Sequence, residues 1–392
     1  MNFFKNLELS FRKLNHQRIQ LFRIGRTQFL RVLFNTTNKD RKAVDQLTTV
    51  VFLRLDGKLG DTITFSAFVQ QMVKNCPQLE IHILTRKNSS EVYQYLFPEL
   101  MKNQQIILHF VDKNIFKIYK TLNDLKPIIF DALISTSHIL DPQSIILARF
   151  IRAKSKISFL NTDMKFFDQF VTRNFFSMHI TERYKNVVQF LKLNWTEPAQ
   201  YSFVVPQQQL ETTSQFLEKI KKQKNCDKII VLNSFAAARL RNLNFETTLT
   251  IIKLLSDKIP TAVIASIANS GDLKILKNWR SQAETDPRFQ GFIKNWFFSD
   301  QTSILDTAAM IDLSDLVITP DTSIVHLASA LKTPLIALFR PDTGTEENSK
   351  IWSPIGSNFK VLFSQKNDDI LGLNTIDTGT VTDAAKNIIN MA

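Results

Sequence analysis

Two patterns of apolar and polar positions recur along the chain after about residue 45. Short apolar runs rich in β-branched and aromatic residues predict strands at 50–54, 81–84, 106–108, 128–130 with 132–134, 156–159, 229–232, 262–265, 316–318 and 335–339. Helical spacing between the first strands predicts helices near 62–75, 89–97, 114–125 and 143–151. This alternation is typical of an α/β fold with parallel strands and helices on both faces.

The strand–helix series is interrupted once, which indicates two domains. Residues 160–206 are less regular, rich in Phe and Asn, and contain Pro198 and Pro206. A chain of 392 residues is also too long for one ordinary hydrophobic core. We therefore predict two doubly wound, Rossmann-like domains, 46–205 and 206–392, that face each other across a ligand-binding cleft.

Residues 1–45 form a separate segment with apolar residues at roughly helical spacing and basic residues between them. Glu8 is the only acidic residue before Asp40. The pattern predicts a basic amphipathic helix or helix pair. Such a segment can attach to an anionic membrane face or pack on the first domain, and the sequence leaves both open. The apolar residues are Phe4, Leu7, Phe11, Leu14, Leu21, Phe22, Phe29 and Leu33.

The charge balance favours acidic partners. There are 49 Lys and Arg residues against 36 Asp and Glu residues, a formal net charge of +13. This suits nucleic acid, an anionic membrane or phosphorylated substrates, but no nucleic-acid-binding motif is recognisable, so nucleic acid is not expected. Cys76 and Cys226 are too far apart for a metal-ligand motif, and no membrane span or secretory signal is recognisable. A cytoplasmic protein is expected.

The first motif is a glycine-containing turn, 54–62, directly after the first predicted strand. Such a turn places backbone N–H groups at the carboxyl edge of a sheet, where ligands bind. Its glycine spacing fits neither a dinucleotide fingerprint nor a P-loop. Asp61 at the helix start is either an N-cap or a carboxylate that takes a proton from a hydroxyl. Asp56, Lys58 and Gly60 lie in the same loop.

The second motif, 315–328, is a buried strand that runs into a polar turn and a helix. The free N–H groups of the helix start, with the hydroxyls of Thr322 and Ser323, predict an anion site. Asp321 can accept hydrogen bonds from a sugar or cap the loop. His326 follows one turn later, close enough to donate toward a phosphate or sugar. A lone histidine is more often structural, but its spacing from the polar turn favours function here.

The third motif, 233–245, follows the first strand of the second half. Its Arg239 and Arg241 could clamp a pyrophosphate, because a guanidinium presents fixed parallel donors. A basic surface loop is the alternative interpretation. No metal-binding cluster is visible in the sequence, so the charge of a leaving diphosphate would be met by such side chains.

Together the three motifs resemble glycosyltransferase family 9, the ADP-heptose:lipopolysaccharide heptosyltransferases. The first strand with 60–62 is similar to the family's first motif. Residues 315–328, followed by 333–339, resemble its most diagnostic one, and 352–356 resemble a Trp-Pro-Gly segment. The similarity extends loosely from about residue 48 to 365.

The resemblance implies a GT-B fold in which the N-terminal domain binds the acceptor and the C-terminal domain binds the nucleotide-sugar. It also implies inverting transfer of a heptose from ADP-heptose to phosphorylated inner-core lipopolysaccharide, with no metal or other cofactor, by a monomer on or near the membrane. Asp61 matches the family's proposed general base, and the loop residues Asp56, Lys58 and Gly60 are expected on the acceptor side. Arg241 matches the residue that contacts the donor phosphates. Arg239 is close enough in the chain that the alignment could instead place Arg239 at this position. The remaining matches to the donor motif are Asp321, Thr322, Ser323 and His326.

Three departures from the family pattern leave the identity of the donor sugar undetermined. Ser323 stands where many members have glycine, and Arg340 stands where glycine is frequent. The loop after Leu232 lacks a common Pro-Gly pair. A transferase with another nucleotide-sugar donor, or a non-catalytic relative that binds lipopolysaccharide or nucleotide, therefore remains an alternative.

Overall fold

The structure is a computed structural model that describes residues 24–391, apart from 113, 138–139, 161, 172–174, 301 and 343–346. The predicted N-terminal extension lies mostly outside these residues. Residues 24–34 are helical (α1), as predicted, but 35–48 contain no helix. The predicted helical extension to residue 45 is therefore too long, because 35–48 run along the first domain in an irregular course. Asn38 there donates to the Ala153 carbonyl.

The first sheet contains six parallel strands in the order β3-β2-β1-β4-β5-β6. Its centre is β1, in which Val50, Val51 and Phe52 are fully buried, because helices cover both faces of a doubly wound sheet. The strands are β1 (Thr49–Arg54), β2 (Glu80–Thr85), β3 (Ile106–Phe110), β4 (Phe130–Ser135), β5 (Ala153–Ser158) and β6 (Gln169–Phe170). The helices are α2 (Leu59–Asn75), α3 (Tyr93–Leu96), α4 (Pro98–Lys102), α5 (Ile115–Leu125), α6 (Pro142–Phe150) and α7 (Ile180–Phe190).

The second sheet is also parallel, with the order β12-β11-β10-β7-β8-β9. Its strands are β7 (Lys228–Asn233), β8 (Ala262–Ile267), β9 (Trp296–Phe298), β10 (Leu316–Pro320), β11 (Leu335–Phe339) and β12 (Phe359–Phe363). The helices are α8 (Gln207–Lys224), α9 (Phe245–Lys258), α10 (Leu273–Thr285), α11 (Ile304–Asp312), α12 (Ser323–Leu331), α13 (Asn348–Ile351) and α14 (Thr378–Met391).

Both sheets have the same doubly wound topology. Counted within each sheet, the strand order is 3-2-1-4-5-6, which confirms the predicted GT-B fold class. In such sheets ligands bind beyond the carboxyl ends of the strands where the winding direction reverses. These switch points lie between β1 and β4 in one sheet and between β7 and β10 in the other. The three sequence motifs follow β1, β7 and β10.

All nine predicted strands are present, with shifted ends, but several elements were missed. Residues 128–129 lie outside β4, and 89–97 contains the short helix α3 rather than one long helix. β6, β9, β12 and α7 were not predicted. The three missed strands are short or partly exposed. Each is an edge strand, β6 in the first sheet and β9 and β12 at the two edges of the second. Their pairing depends on a neighbouring strand rather than on a long apolar run.

Among the described residues, no helix combines the length and the apolar character that crossing a bilayer requires.

Candidate active site

The helices that follow the first and second motifs pack against each other across the two halves of the molecule. Gly60, in the first turn of α2, faces the first turn of α12. A β-carbon at Gly60 would lie 3.0 Å from Cδ2 of His326 and 3.4 Å from Cα of Ser323. The absence of a side chain at Gly60 therefore permits this close approach. Two motifs more than 250 residues apart in the chain meet at one point.

Asp61 is a buried carboxylate inside the first turn of α2. The N-cap is Lys58, so the alternative that Asp61 caps the helix is wrong. Burial raises the pKa of Asp61 to about 6, and the nearby Asp56 carboxylate raises it further, whereas Arg54 and Lys58 oppose the shift. Asp61 is thus largely ionised at neutral pH but more basic than an exposed aspartate. This is the property that a general base requires.

Arg54, at the end of β1, supplies a fixed positive charge beside these carboxylates. Its side chain is 3% exposed, and its guanidinium lies 5.1 Å from the centre of the Phe65 ring. Nη1 donates to Thr136 Oγ1 at 2.9 Å and lies 3.5 Å from Asp56 Oδ2. Arg54 was not among the predicted site residues. An arginine that ends an otherwise apolar central strand was the available signal.

The predicted acceptor-side residues surround Asp61 as expected from their spacing. Lys58 is exposed, Asp56 is held near Arg54, and Gly60 lies at the contact with α12. The structure therefore brings this loop to the carboxyl end of β1, next to the other half of the molecule. Its binding of an acceptor stays a prediction.

The polar turn after β10 is held in place by hydrogen bonds from the neighbouring strand. Asn233, at the end of β7, donates to Thr319 Oγ1 at 3.0 Å. Thr322 is the N-cap of α12, and its Oγ1 accepts from the Ile324 N–H at 3.2 Å. Ser323 is half-buried in the first helical turn. The arrangement directs the start of α12 toward the switch point of the second sheet.

Arg241 and Asp321 form an ion pair at this turn. The distance between Arg241 Nη1 and Asp321 Oδ2 is 2.7 Å. Burial raises the pKa of Asp321 to about 6, although the Arg241 charge opposes the shift. Arg239 belongs to the same 3-10 turn, Arg239–Arg241, but is exposed. The geometry thus places Arg241, rather than Arg239, beside the Asp321 turn.

His326 lies within the contact between the two halves. It is buried, edge-on to the rings of Tyr201 and Trp352, with centroid distances of 5.8 and 5.9 Å. Its Nδ1 is buried and has no hydrogen-bond partner among the described residues. Burial lowers the pKa of His326 to about 3, so the imidazole is neutral at physiological pH. It can contact a ligand only as a neutral group, and its predicted role as a donor stays a prediction.

A second set of contacts joins the halves near His326. His179 Nε2 donates to the Ser353 carbonyl at 3.1 Å, and the Glu347 N–H donates to the Phe176 carbonyl at 2.9 Å. These contacts connect the irregular segment before α7 to the chain around α13.

Two cavities open at the carboxyl edge of the second sheet. One, of about 120 Å³, lies between the Arg241 turn and the loop after β11. The other, of about 380 Å³, lies at the ends of β8 and β9 between α8 and α11. Its lining includes Phe216, Ser266, Asp300 and Met310. The larger cavity falls within the range of ~300–1,000 Å³ that is typical of small-molecule pockets.

The described residues contain no group of three or more His, Cys, Asp or Glu side chains that could hold a metal ion. Metal-independent chemistry stays a prediction from the sequence.

Comparison with known proteins identifies the region around β9–β12. Residues 296–370, which include the Asp321 turn and α12, match glycosyltransferase family 9 (heptosyltransferase). Over these residues the chain is similar to glycosyltransferase family 9. No curated protein matches the chain. The resemblance inferred from the motifs is confirmed, and the enzyme class, a glycosyltransferase, follows from it.

Solved structures of a family 9 glycosyl transferase and of two heptosyltransferases share the fold. A glycosyl transferase family 9 protein of Veillonella parvula DSM 2008 is 18% identical, with a TM-score of 0.70 over 90% of this chain and 100% of that one. The ADP-heptose lps heptosyltransferase II of E. coli is 13% identical, with a TM-score of 0.63 over 87% and 98%. The E. coli heptosyltransferase WaaC with ADP is 13% identical, with a TM-score of 0.58 over 88% and 100%. At such identities the likeness shows the fold of this chain and not its substrate.

Proposed function

We propose that this glycosyltransferase moves a heptose from ADP-heptose to the phosphorylated inner core of lipopolysaccharide by metal-independent inverting transfer. The observation that carries the proposal is the junction of α2 and α12. There the first turn of α2, which carries the buried Asp61, lies against the first turn of α12, which follows the Asp321 turn paired with Arg241. The match of residues 296–370 to family 9 and a fold shared with a heptosyltransferase solved with ADP support this choice of donor.

In the proposed reaction Asp61 takes the proton from an acceptor hydroxyl. The hydroxyl oxygen forms a bond to the anomeric carbon of the donor from the face opposite the diphosphate. The bond between that carbon and the phosphate oxygen breaks, and ADP leaves with its electron pair. General-base assistance of this kind contributes ~10²–10⁴-fold to the rate.

The departing diphosphate is stabilised by fixed positive groups. Arg241 offers further N–H donors besides the one that pairs with Asp321. The N–H groups at the start of α12 add the partial positive charge of a helix N-terminus. Both are in place before the reaction, so little reorganisation is needed when negative charge develops.

The 380 Å³ cavity fits the nucleoside of the donor in this proposal. Phe216 and Met310 supply apolar surface, and Ser266 and Asp300 supply polar groups. The cavity opens at the end of β8, two strands from β10 in the sheet. At ~4.8 Å per strand this separation is about 10 Å, comparable to the span from a nucleoside to its second phosphate.

A place at the anionic cytoplasmic face of a membrane is also part of the proposal. α1 packs on the first domain through the buried Leu30 and through Phe34, whose ring lies 5.1 Å from that of Phe150. The same helix leaves Phe29, Val32 and Leu33 exposed. Packing on the domain, one of the two alternatives for this segment, therefore does not exclude membrane contact.

The direct test is transfer from ADP-heptose by purified Asp61→Asn. We expect kcat to fall ~10²–10⁴-fold while calorimetry shows that ADP still binds. Asp257→Asn, which removes an exposed carboxylate on α9 paired with Lys253, is the matched control and should keep full turnover. Undiminished turnover by a folded Asp61→Asn protein would remove Asp61 from the base role.

A panel of nucleotide-sugars tests the donor. A transferase for another sugar would turn over a different member of the panel, and a non-catalytic relative would bind ADP without turning over any. Mass spectrometry of lipopolysaccharide from a deletion strain tests the acceptor, because loss of one core sugar would identify the step.

A further inference from the structure

The 120 Å³ cavity beside Arg241 is not explained by the proposed reaction alone. It lies at the carboxyl ends of β10 and β11, on the side of Arg241 away from β8. Polar and charged side chains dominate its lining, namely Arg241, Asp321, Arg340, Asp342, Asn348 and Asn367. Its volume is far below the ~300 Å³ that a whole small molecule needs, so it accommodates a single chemical group.

Both carboxylates of the cavity are already paired. Asp321 forms the ion pair with Arg241 at 2.7 Å. Asp342 accepts hydrogen bonds from the N–H of Ser349, at 3.0 Å, and from the Ser349 hydroxyl. The charge of Asp321 is therefore compensated by Arg241, whereas Asp342 is fixed by Ser349 and forms no ion pair with Arg340 among the described residues.

Of the two arginines that line the cavity, Arg340 has the weaker ion pairing. Its side chain is 20% exposed, and its only ion pair among the described residues is with Asp369 at 3.4 Å. Because the Asp369 side chain is 90% exposed, that pair contributes little. Nη2 donates to the Asp368 carbonyl at 3.2 Å, but Nε is buried and has no hydrogen-bond partner within the described part of the chain. A buried N–H of this kind is stabilised when a ligand supplies an acceptor.

We infer that this cavity is an oxyanion subsite, in which Arg340 and Arg241 together bind one phosphate or carboxylate group of the donor. Two guanidinium groups line a space of the right size. Arg340 keeps a buried Nε without a described acceptor, and Arg241 has N–H donors besides the Nη1 that pairs with Asp321. The inference rests on the proposed nucleotide-sugar site and adds a second arginine to it. The oxyanion is either the second phosphate of the nucleotide or an acid group on the transferred sugar.

Calorimetry on Arg340→Gln with four probes distinguishes these sources. The probes are AMP, ADP, ADP-glucose and ADP-glucuronate. If the subsite takes the second phosphate, the variant loses about 10- to 100-fold in affinity for ADP and little for AMP. If it takes a sugar carboxylate, ADP affinity is unchanged, and only the preference for ADP-glucuronate over ADP-glucose is lost. That result would support the subsite and contradict the heptose donor, because a heptose carries no carboxylate.

Arg288→Gln is the matched control, because Arg288 is exposed and paired with Glu246 and Asp286 outside the cavity. Arg340→Lys keeps the charge but removes the Nε donor, so it should bind with intermediate affinity and remains informative if the glutamine variant does not fold. Binding of all four probes to both Arg340 variants as tightly as to the wild type would overturn the subsite.

The subsite and the proposed function fail separately. An Arg340-dependent affinity for ADP in a protein that transfers no sugar from any nucleotide-sugar supports the subsite and contradicts the proposed reaction. Transfer with unchanged binding by the Arg340 variants contradicts the subsite only.

Discussion

His326 and Gly60 meet so closely that a β-carbon on the glycine would lie 3.0 Å from the imidazole Cδ2. The glycine belongs to the first domain and the histidine to the second. Because the ring is also enclosed by Tyr201 and Trp352, it has little room to move away. The distance between the two motif helices is therefore set by the absence of one methyl group.

Gly60→Ala is expected to push α2 and α12 apart by a few tenths of an ångström. An alanine normally favours a helix by ~1 kcal/mol over glycine, so a lower melting temperature would show that the contact outweighs propensity. We expect a reduced kcat, because Asp61 moves with the first turn of α2. Gly291→Ala, where an added β-carbon meets no atom within 4 Å, is the control and should change neither quantity. An alanine variant with full activity would show that the spacing does not matter.

The acidic limb of the pH profile should report Asp61. With a pKa of about 6 in the free protein, the ionised base forms as the pH rises through 6, so kcat/KM should rise there and then level off. His326, with a pKa of about 3, stays neutral over this range and does not contribute. Steady-state kinetics between pH 4.5 and 9 give the limb directly.

Two substitutions should move that limb in opposite directions. Arg54→Met removes a positive charge that lowers the pKa of Asp61, so the limb shifts to higher pH. Asp56→Asn removes a negative charge that raises it, so the limb shifts to lower pH. Lys58 and Arg183 also face Asp61 and are unchanged in both variants. Shifts in the same direction would contradict the assigned electrostatics.

Asp61→Asn should be more stable than the wild type at alkaline pH. The folded-state pKa of Asp61 is raised from 3.8 to about 6, so its contribution to stability is fully present below about pH 4 and is lost as the pH rises through 6. At ~1.36 kcal/mol per pKa unit the gain at pH 8 is at most about 3 kcal/mol. Melting temperatures at pH 4 and pH 8 test this. An equal difference at both pH values would exclude the linkage.

Gly372→Ala should weaken ADP binding although Gly372 contacts no proposed ligand group. Gly372 has a φ of +56°, and a β-carbon there would lie 2.2 Å from the Leu240 carbonyl oxygen. Leu240 lies within the turn that carries Arg241, so the turn must shift. Gly356→Ala is the matched control, since Gly356 has a φ of +110° but open space around it. It should lose stability without losing affinity, and equal losses of affinity in both would contradict the argument.

Replacing the exposed apolar residues of α1 should reduce membrane binding. Phe29, Val32 and Leu33 are 66%, 83% and 55% exposed and lie at i, i+3 and i+4. Changing all three to serine removes apolar surface but leaves Leu30 in the core. We expect weaker co-sedimentation with phosphatidylglycerol vesicles and unchanged transfer to a soluble acceptor. Equal sedimentation of both proteins would exclude this face.

The fold and the positions of the site residues along the chain could be predicted because both depend on short sequence patterns. A buried apolar run followed by a polar turn places Asp61 and Asp321 at the carboxyl edge of a sheet wherever the strands pair. The environment of each group was not predictable in this way. His326 lies near the turn by sequence spacing, but its burial depends on α2 packing onto α12. Arg340 acquires its surroundings from residues 368–369, nearly thirty positions further along the chain.

The contact between α2 and α12 also has a mechanical consequence. If the domains rotate about it to admit and release ligands, groups near this fulcrum move least and the outer rims of the cleft move most. The carboxylate of one domain and the helix start of the other would then keep their separation through each cycle. The enzyme would then bind and release large substrates by opening the outer part of the cleft, while the groups near the α2–α12 contact keep their relative positions.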